Sequence, residues 1–181
     1  KPDLVLGVHL RGLLALTQDG QGNFAEARTG IDFTTNAKQG SAFSSQAIQL
    51  ADWNSDGRLD ILALSEGPQL GRARSLSGSP SSQGVKIYLN NGDGSWTPRV
   101  HSGEVRAIFG ASLTIGDFNG DGRQDFATGS YVQGRKDLIN LSKADGSWET
   151  LAIDSLRPTA LMHSVVAGDF DRDGRDDLAV A

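Results

Sequence analysis

The 181-residue chain contains no cysteine, which excludes a disulfide framework and cysteine-based zinc or thiol chemistry. Its apolar runs are short. None approaches the roughly 18 residues expected of a membrane-spanning helix, so no transmembrane segment is read. No signal peptide is visible, and the first residue is Lys1 rather than Met, as in a processed or trimmed chain. Histidine is scarce, and His9, His101 and His163 are too far apart in sequence to show metal-ligand spacing. There is no G-x-S-x-G elbow, no phosphate-cradling glycine loop and no nucleophile beside a base, so no enzyme activity is expected of this chain. Nor is there a basic stripe interleaved with aromatics, and the formal net charge is −5, which argues against nucleic acid as a partner.

What the chain does have is glycine, 23 residues of it, and repetition. Three stretches read D-x-[ND]-x-D-G-R-x-D: Asp52 to Asp60, Asp117 to Asp125 and Asp169 to Asp177. Calcium takes six to eight oxygen ligands, and a nine-residue loop supplies them from positions 1, 3, 5, 7 and 9. In the first loop these are Asp52, Asn54, Asp56, the Arg58 carbonyl and Asp60. In the second they are Asp117, Asn119, Asp121, the Arg123 carbonyl and Asp125. In the third they are Asp169, Asp171, Asp173, the Arg175 carbonyl and Asp177. Position 6 is Gly57, Gly122 or Gly174, where the backbone has to turn sharply. Position 12 is Ala63, Thr128 or Val180, so the bidentate Glu of a helix-flanked calcium loop is missing. The flanking segments are short and mostly apolar, which points to a loop between two β-strands. An Asx-rich turn without metal would use the same residue types; threefold repetition in one register favours calcium, with three sites expected. The loops supply ten ligand carboxylates of the 22 in the chain, so three Ca²⁺ would move the net charge from −5 to +1.

Phe109-Gly110 precedes the second loop, and the hairpins Leu89-Asn90-Asn91-Gly92-Asp93-Gly94-Ser95-Trp96 and Leu141 to Trp148 lie between loops, with a looser copy at Leu16 to Phe24. Together with the loops, these resemble the FG-GAP/VCBS-type repeats of integrin-like calcium-binding β-propellers. The likeness spans essentially the whole chain. It departs where no Phe-Gly precedes the first and third loops and where Trp53 takes the usual Phe position. The resemblance implies an all-β fold: a β-propeller segment of four-stranded antiparallel blades, with calcium loops between strands one and two.

On that plan one blade has strands near 46–52, 60–65, 84–90 and 95–100. The next has strands near 112–118, 125–131, 137–142 and 147–153. Residues 163–169 and 177–181 start another. Asp3–Gly7, Leu13–Thr17 and Phe24–Ala27 read as strands two to four of an incomplete first blade, with Asp3 at the ninth position of a loop. The expected division is 1–44, 45–111, 112–160 and 161–181, all within one partial propeller. So few blades imply a longer polypeptide or a partner chain that completes the ring.

The calcium loops and hairpins are expected at one end of the blades, and the loops 30–44, 66–83, 101–111, 132–136 and 154–161 at the other. The segment 66–83 is the longest and carries Arg72 and Arg74; Arg106, Arg135, Lys136 and Arg157 fall on the same end, and all read as solvated charges. Trp53, Phe118 and Phe170 recur at position 2 and read as inter-blade packing, as do Trp96 and Trp148, although an exposed Trp could stack on a glycan. The functional expectation is an extracytoplasmic calcium-binding module (secreted, periplasmic or cell-surface) that serves protein interaction or scaffolding. The alternative is a carbohydrate-binding, lectin-like protein or an accessory domain of a polysaccharide-acting enzyme.

Overall fold

The computed structural model describes residues 3–8, 11–27, 29–33, 45–65, 84–100, 112–129, 138–152 and 164–181. These residues form thirteen strands and no helix. The first sheet holds β1 (Leu4–Val8), β2 (Gly12–Gln18) and β3 (Phe24–Glu26). The second holds β4 (Ser45–Ala51), β5 (Asp60–Ser65), β6 (Val85–Asn90) and β7 (Trp96–Val100). The third holds β8 (Ser112–Gly116), β9 (Asp125–Gly129), β10 (Leu138–Ser142) and β11 (Trp148–Ala152). The last holds β12 (Val165–Gly168) and β13 (Asp177–Val180). Every pairing is antiparallel between sequence neighbours, so each sheet is a meander.

The strands fall within a few residues of the positions expected from the alternation of turn signals and apolar runs. Ile61-Leu62-Ala63-Leu64 shows no alternation, and the reason is tertiary. Leu62 and Leu64 stand opposite Ile87 and Val85, and this face packs on Leu113 and Phe126 of the third sheet. Ile61 and Ala63 belong to the opposite face with Tyr88, packed on Leu13 of the first sheet. The second sheet is therefore covered on both sides, and a strand buried on both faces reads as a continuous apolar run.

The first strand of each sheet lies beside that of its neighbour, β1 next to β4, β4 next to β8 and β8 next to β12. These strands are tied through side chains rather than a backbone ladder. Ser112 Oγ accepts the Val165 N–H at 2.6 Å, Thr114 Oγ1 accepts the Ala167 N–H at 3.0 Å, and Gln49 Nε2 donates to the Leu113 carbonyl at 3.0 Å. Residues 29–33 form a strap between the first two sheets: the Thr29 carbonyl accepts the Trp96 N–H and the Asp32 carbonyl accepts the Leu13 N–H. On the strap, the Asp32 carboxylate pairs with the buried Lys86 ammonium and accepts the Tyr88 hydroxyl at 3.1 Å. Burial, and then the Asp32 charge, push the Tyr88 phenol well above its ordinary pKa.

Leu62→Ala removes a fully buried side chain from the contact between the second and third sheets. The expected loss is about 2–5 kcal/mol, measured by urea unfolding, with the strand pattern preserved in far-UV circular dichroism.

Candidate metal centre

The three repeated loops adopt one hydrogen-bonded frame. The carboxylate at position 1 accepts two backbone amides. Asp52 takes the N–H groups of Asp56 (2.9 Å) and Gly57 (2.8 Å), Asp117 those of Asp121 (3.1 Å) and Gly122 (2.7 Å), and Asp169 those of Asp173 and Gly174 (3.0 Å each). The position-5 carboxylate accepts the N–H of position 7 at 2.9 Å in every loop. The frame therefore winds the chain around a small centre with carboxylates turned inward. Position 6 has a positive φ in all three copies (84°, 80° and 89°), which is why glycine is there.

Position 4 is also left-handed, and the sequence reading missed it. Ser55 has φ 59° and Arg172 φ 66°, while the second loop places Gly120 there with φ 75°. That glycine was the available signal.

The position-9 carboxylate ties the loop to its sheet. Asp60 Oδ2 accepts the Trp53 N–H at 2.9 Å, and its Oδ1 accepts the Asn90 N–H at the end of β6 at 2.7 Å. Asp125 does the same with Phe118 (3.1 Å) and Ser142 (2.7 Å). Asp177 accepts the Phe170 N–H at 3.0 Å. Asp3 accepts the Gln18 N–H at 3.0 Å, which is the strand-end half of this pattern and matches the ninth-position role read for it. Asp60 and Asp125 are fully buried, and burial raises the pKa of both.

In the third loop, carboxylate oxygens of Asp169, Asp171 and Asp177 all lie within 4.8 Å of one another, a spacing that one cation can span. In the first two loops the third position is an amide whose nitrogen donates to the position-5 carboxylate, Asn54 to Asp56 at 2.8 Å and Asn119 to Asp121 at 3.2 Å. An amide presents either end to a partner, so Oδ1 in place of Nδ2 would complete an oxygen set there. The Arg at position 7 closes the rim. Arg58 reaches the Asn90 carbonyl at 2.7 Å and pairs with Asp56, while Arg123 lies 3.4 Å from Asp121. Among the described residues, the third loop is where three of the expected carboxylates meet at metal-ligand spacing; the first and second loops share its hydrogen-bonded frame. The donor set is all hard oxygen, which suits calcium rather than a soft metal.

Residues 75–128, which enclose the second loop, match the family model of the FG-GAP-like repeat. This stretch is similar to an FG-GAP-like repeat. Over those residues the resemblance carried by the loop and hairpin motifs is borne out by that match.

The two hairpins share one device. The Asp93 carboxylate accepts both the N–H (2.9 Å) and the hydroxyl (2.6 Å) of Ser95, and Asp145 treats Ser147 identically. These bonds, the hydroxyl's first, hold both carboxyls below the usual carboxylate range. In the FG-GAP-like loop, Asp121 is lowered chiefly by the Arg123 N–H. Of the repeated aromatics, Trp53 stacks on Trp148 of the third sheet, with centroids 5.4 Å apart, which is packing between sheets as expected; Phe126 meets the same Trp148 edge-on within the third sheet. Phe170, on the last sheet, is 60% exposed. Trp96 packs with the cluster between the first and second sheets. The loops 66–83, 101–111, 132–136 and 154–161, their Arg72, Arg74, Arg106, Arg135, Lys136 and Arg157, most of 30–44, the three histidines and Phe109-Gly110 all lie outside the described residues.

A carboxyl raised by folding holds its proton more tightly in the folded chain, so in chelator its contribution to stability falls as pH rises from the ordinary carboxylate range through the folded value. Lowered carboxyls act in the opposite sense below that range. In metal-free protein, ¹³C carboxyl titration should show Asp60 and Asp125 protonating at higher pH than Asp93, Asp121 and Asp145. A common midpoint would contradict the burial assigned to the first two.

Proposed function

We propose that the chain is a calcium-braced, propeller-type FG-GAP module of an extracytoplasmic protein, and that it serves as a protein-interaction or scaffold unit. The observation that carries this reading is the recurrence of one oxygen-lined loop frame three times, with a carboxylate cluster of cation size in the third copy. Each Ca²⁺ would be held by the side chains at positions 1, 3, 5 and 9 and the carbonyl of Arg58, Arg123 or Arg175. Its role is charge neutralisation: each loop carries three or four ligand carboxylates, and without a cation their repulsion opposes the fold. Calcium sites of extracellular modules are weak, filling near 10⁻⁴–10⁻³ M, which supports placement outside the cytoplasm. FG-GAP repeats commonly mediate protein interactions, which supports a protein partner.

Native mass spectrometry in calcium should show three ions per chain, lost on chelation with a fall in melting temperature. Asp121→Ala should bind two and loosen the third sheet, with the loop at Asp169 unaffected, because stability in repeat folds is largely local. Three ions bound to the Asp121→Ala chain, or none bound to the parent, would overturn the reading.

A further inference from the structure

The second and third sheets do not close on each other along their whole length. At the loop end they part around a cavity of about 680 Å³, within the range of small-molecule sites. Sheets three and four are latched at the same level. There Asp176 Oδ2 accepts the Asp117 N–H at 2.8 Å, and the Asp176 N–H donates to the Asp117 carbonyl at 2.9 Å. The matching residue of the second loop is Gln124, which lines the cavity; among the described residues its side chain makes no such bond to the first loop.

The wall of the cavity on the third sheet is unusually polar. Asn140 stands opposite Phe126 and Thr150, and Ser142 opposite Trp148, so these residues share one face, which turns toward the second sheet because Phe126 packs with Leu62 and Ile87. On this face Thr128 Oγ1, Asn140 Nδ2 and Ser142 Oγ are buried with no hydrogen-bond partner. Ser142 lines the cavity, and Asn140 and Thr128 continue the same face away from the loops. An unpaired buried polar group carries a full desolvation cost, so Ser142 Oγ, the one of the three that belongs to the cavity lining, points to a polar occupant.

The opposite wall supplies a charge. Arg99 stands opposite Ile87, lines the cavity with it and has no partner among the described residues. The other two cations at the rim are already engaged, Arg123 with Asp121 at 3.4 Å and Lys143 with Glu149 at 3.0 Å. The apolar part of the lining includes Leu89 and the half-buried rings of Trp53 and Trp148.

We propose that this cleft binds an acidic saccharide through a uronate unit. Its carboxylate pairs with Arg99, its hydroxyls meet the polar face headed by Ser142, and the C–H face of the ring rests on the indoles. An aromatic acid would satisfy Arg99 and leave the polar face unmet. A neutral sugar would satisfy the polar face and leave Arg99 unmet.

The test is calorimetric titration of the full chain in calcium with galacturonate, galactose and benzoate. Galacturonate should saturate one site per chain and perturb tryptophan fluorescence, with the other two at least tenfold weaker. Arg99→Gln, at an exposed position, should lower galacturonate affinity at least tenfold toward that of galactose, with unchanged melting temperature. Ser142→Val should weaken both sugars alike. Absent galacturonate saturation, as for a cleft that holds only water, would overturn the proposal, as would equal benzoate binding or an Arg99→Gln chain that binds unchanged. Asp52 and Asn54 of the first repeat loop also line the cleft, so the titration is repeated in chelator: galacturonate saturation there keeps this site distinct from the calcium reading, and saturation seen only in calcium would overturn it.

Discussion

A carboxylate at the ninth position of each repeat loop is the constraint on which the rest depends. Asp60 and Asp125 are fully buried, yet each spends its oxygens on two backbone amides from different parts of the chain, one at the loop entry and one at the end of the third strand of its sheet. The loop, the second strand and the third strand are thereby fixed to one another through a single side chain. Burial disfavours the charge and the amides favour it; burial prevails in both residues, and their pKa values rise. A carboxylate held in that balance, with further carboxylates above it in the same loop, is an arrangement that a divalent cation would relieve.

The same side-chain logic joins one sheet to the next. The first strands of neighbouring sheets have no ladder between them, so hydroxyls of β8 accept the amides of β12, and Asp176 latches the third loop to the second. Between the second and third sheets the joint is made instead by Leu62, Ile87, Phe126 and the stacked Trp53 and Trp148. Apolar packing tolerates a gap at its margin where a hydrogen-bonded latch does not, and the cavity lies at that margin. The cleft opens at the repeat-loop end of the sheets, whereas the sequence reading favoured the opposite end for binding; those opposite loops lie outside the described residues.

The candidate site was legible because its chemistry is local. Nine residues contain every proposed ligand, and the residue types needed for oxygen donors and for a positive φ at position 6 are few. The position-9 bond to the third strand was not legible, because Asp60 and Asn90 are 30 residues apart and nothing in either residue names the other. The left-handed position 4 was half legible: Gly120 signals it, while Ser55 and Arg172 conceal it.

By itself, the sequence determined the strands, their antiparallel order and the three loop frames, since turn chemistry and short-range alternation act within a few residues. Tertiary structure alone decided which face of each strand meets a neighbour, that Ile61 to Leu64 is buried on both sides, and that Arg99 stands across a cleft from Ser142. Those relations depend on how separate sheets pack. Packing is set by the shapes of side chains distant in the chain, which no local pattern encodes.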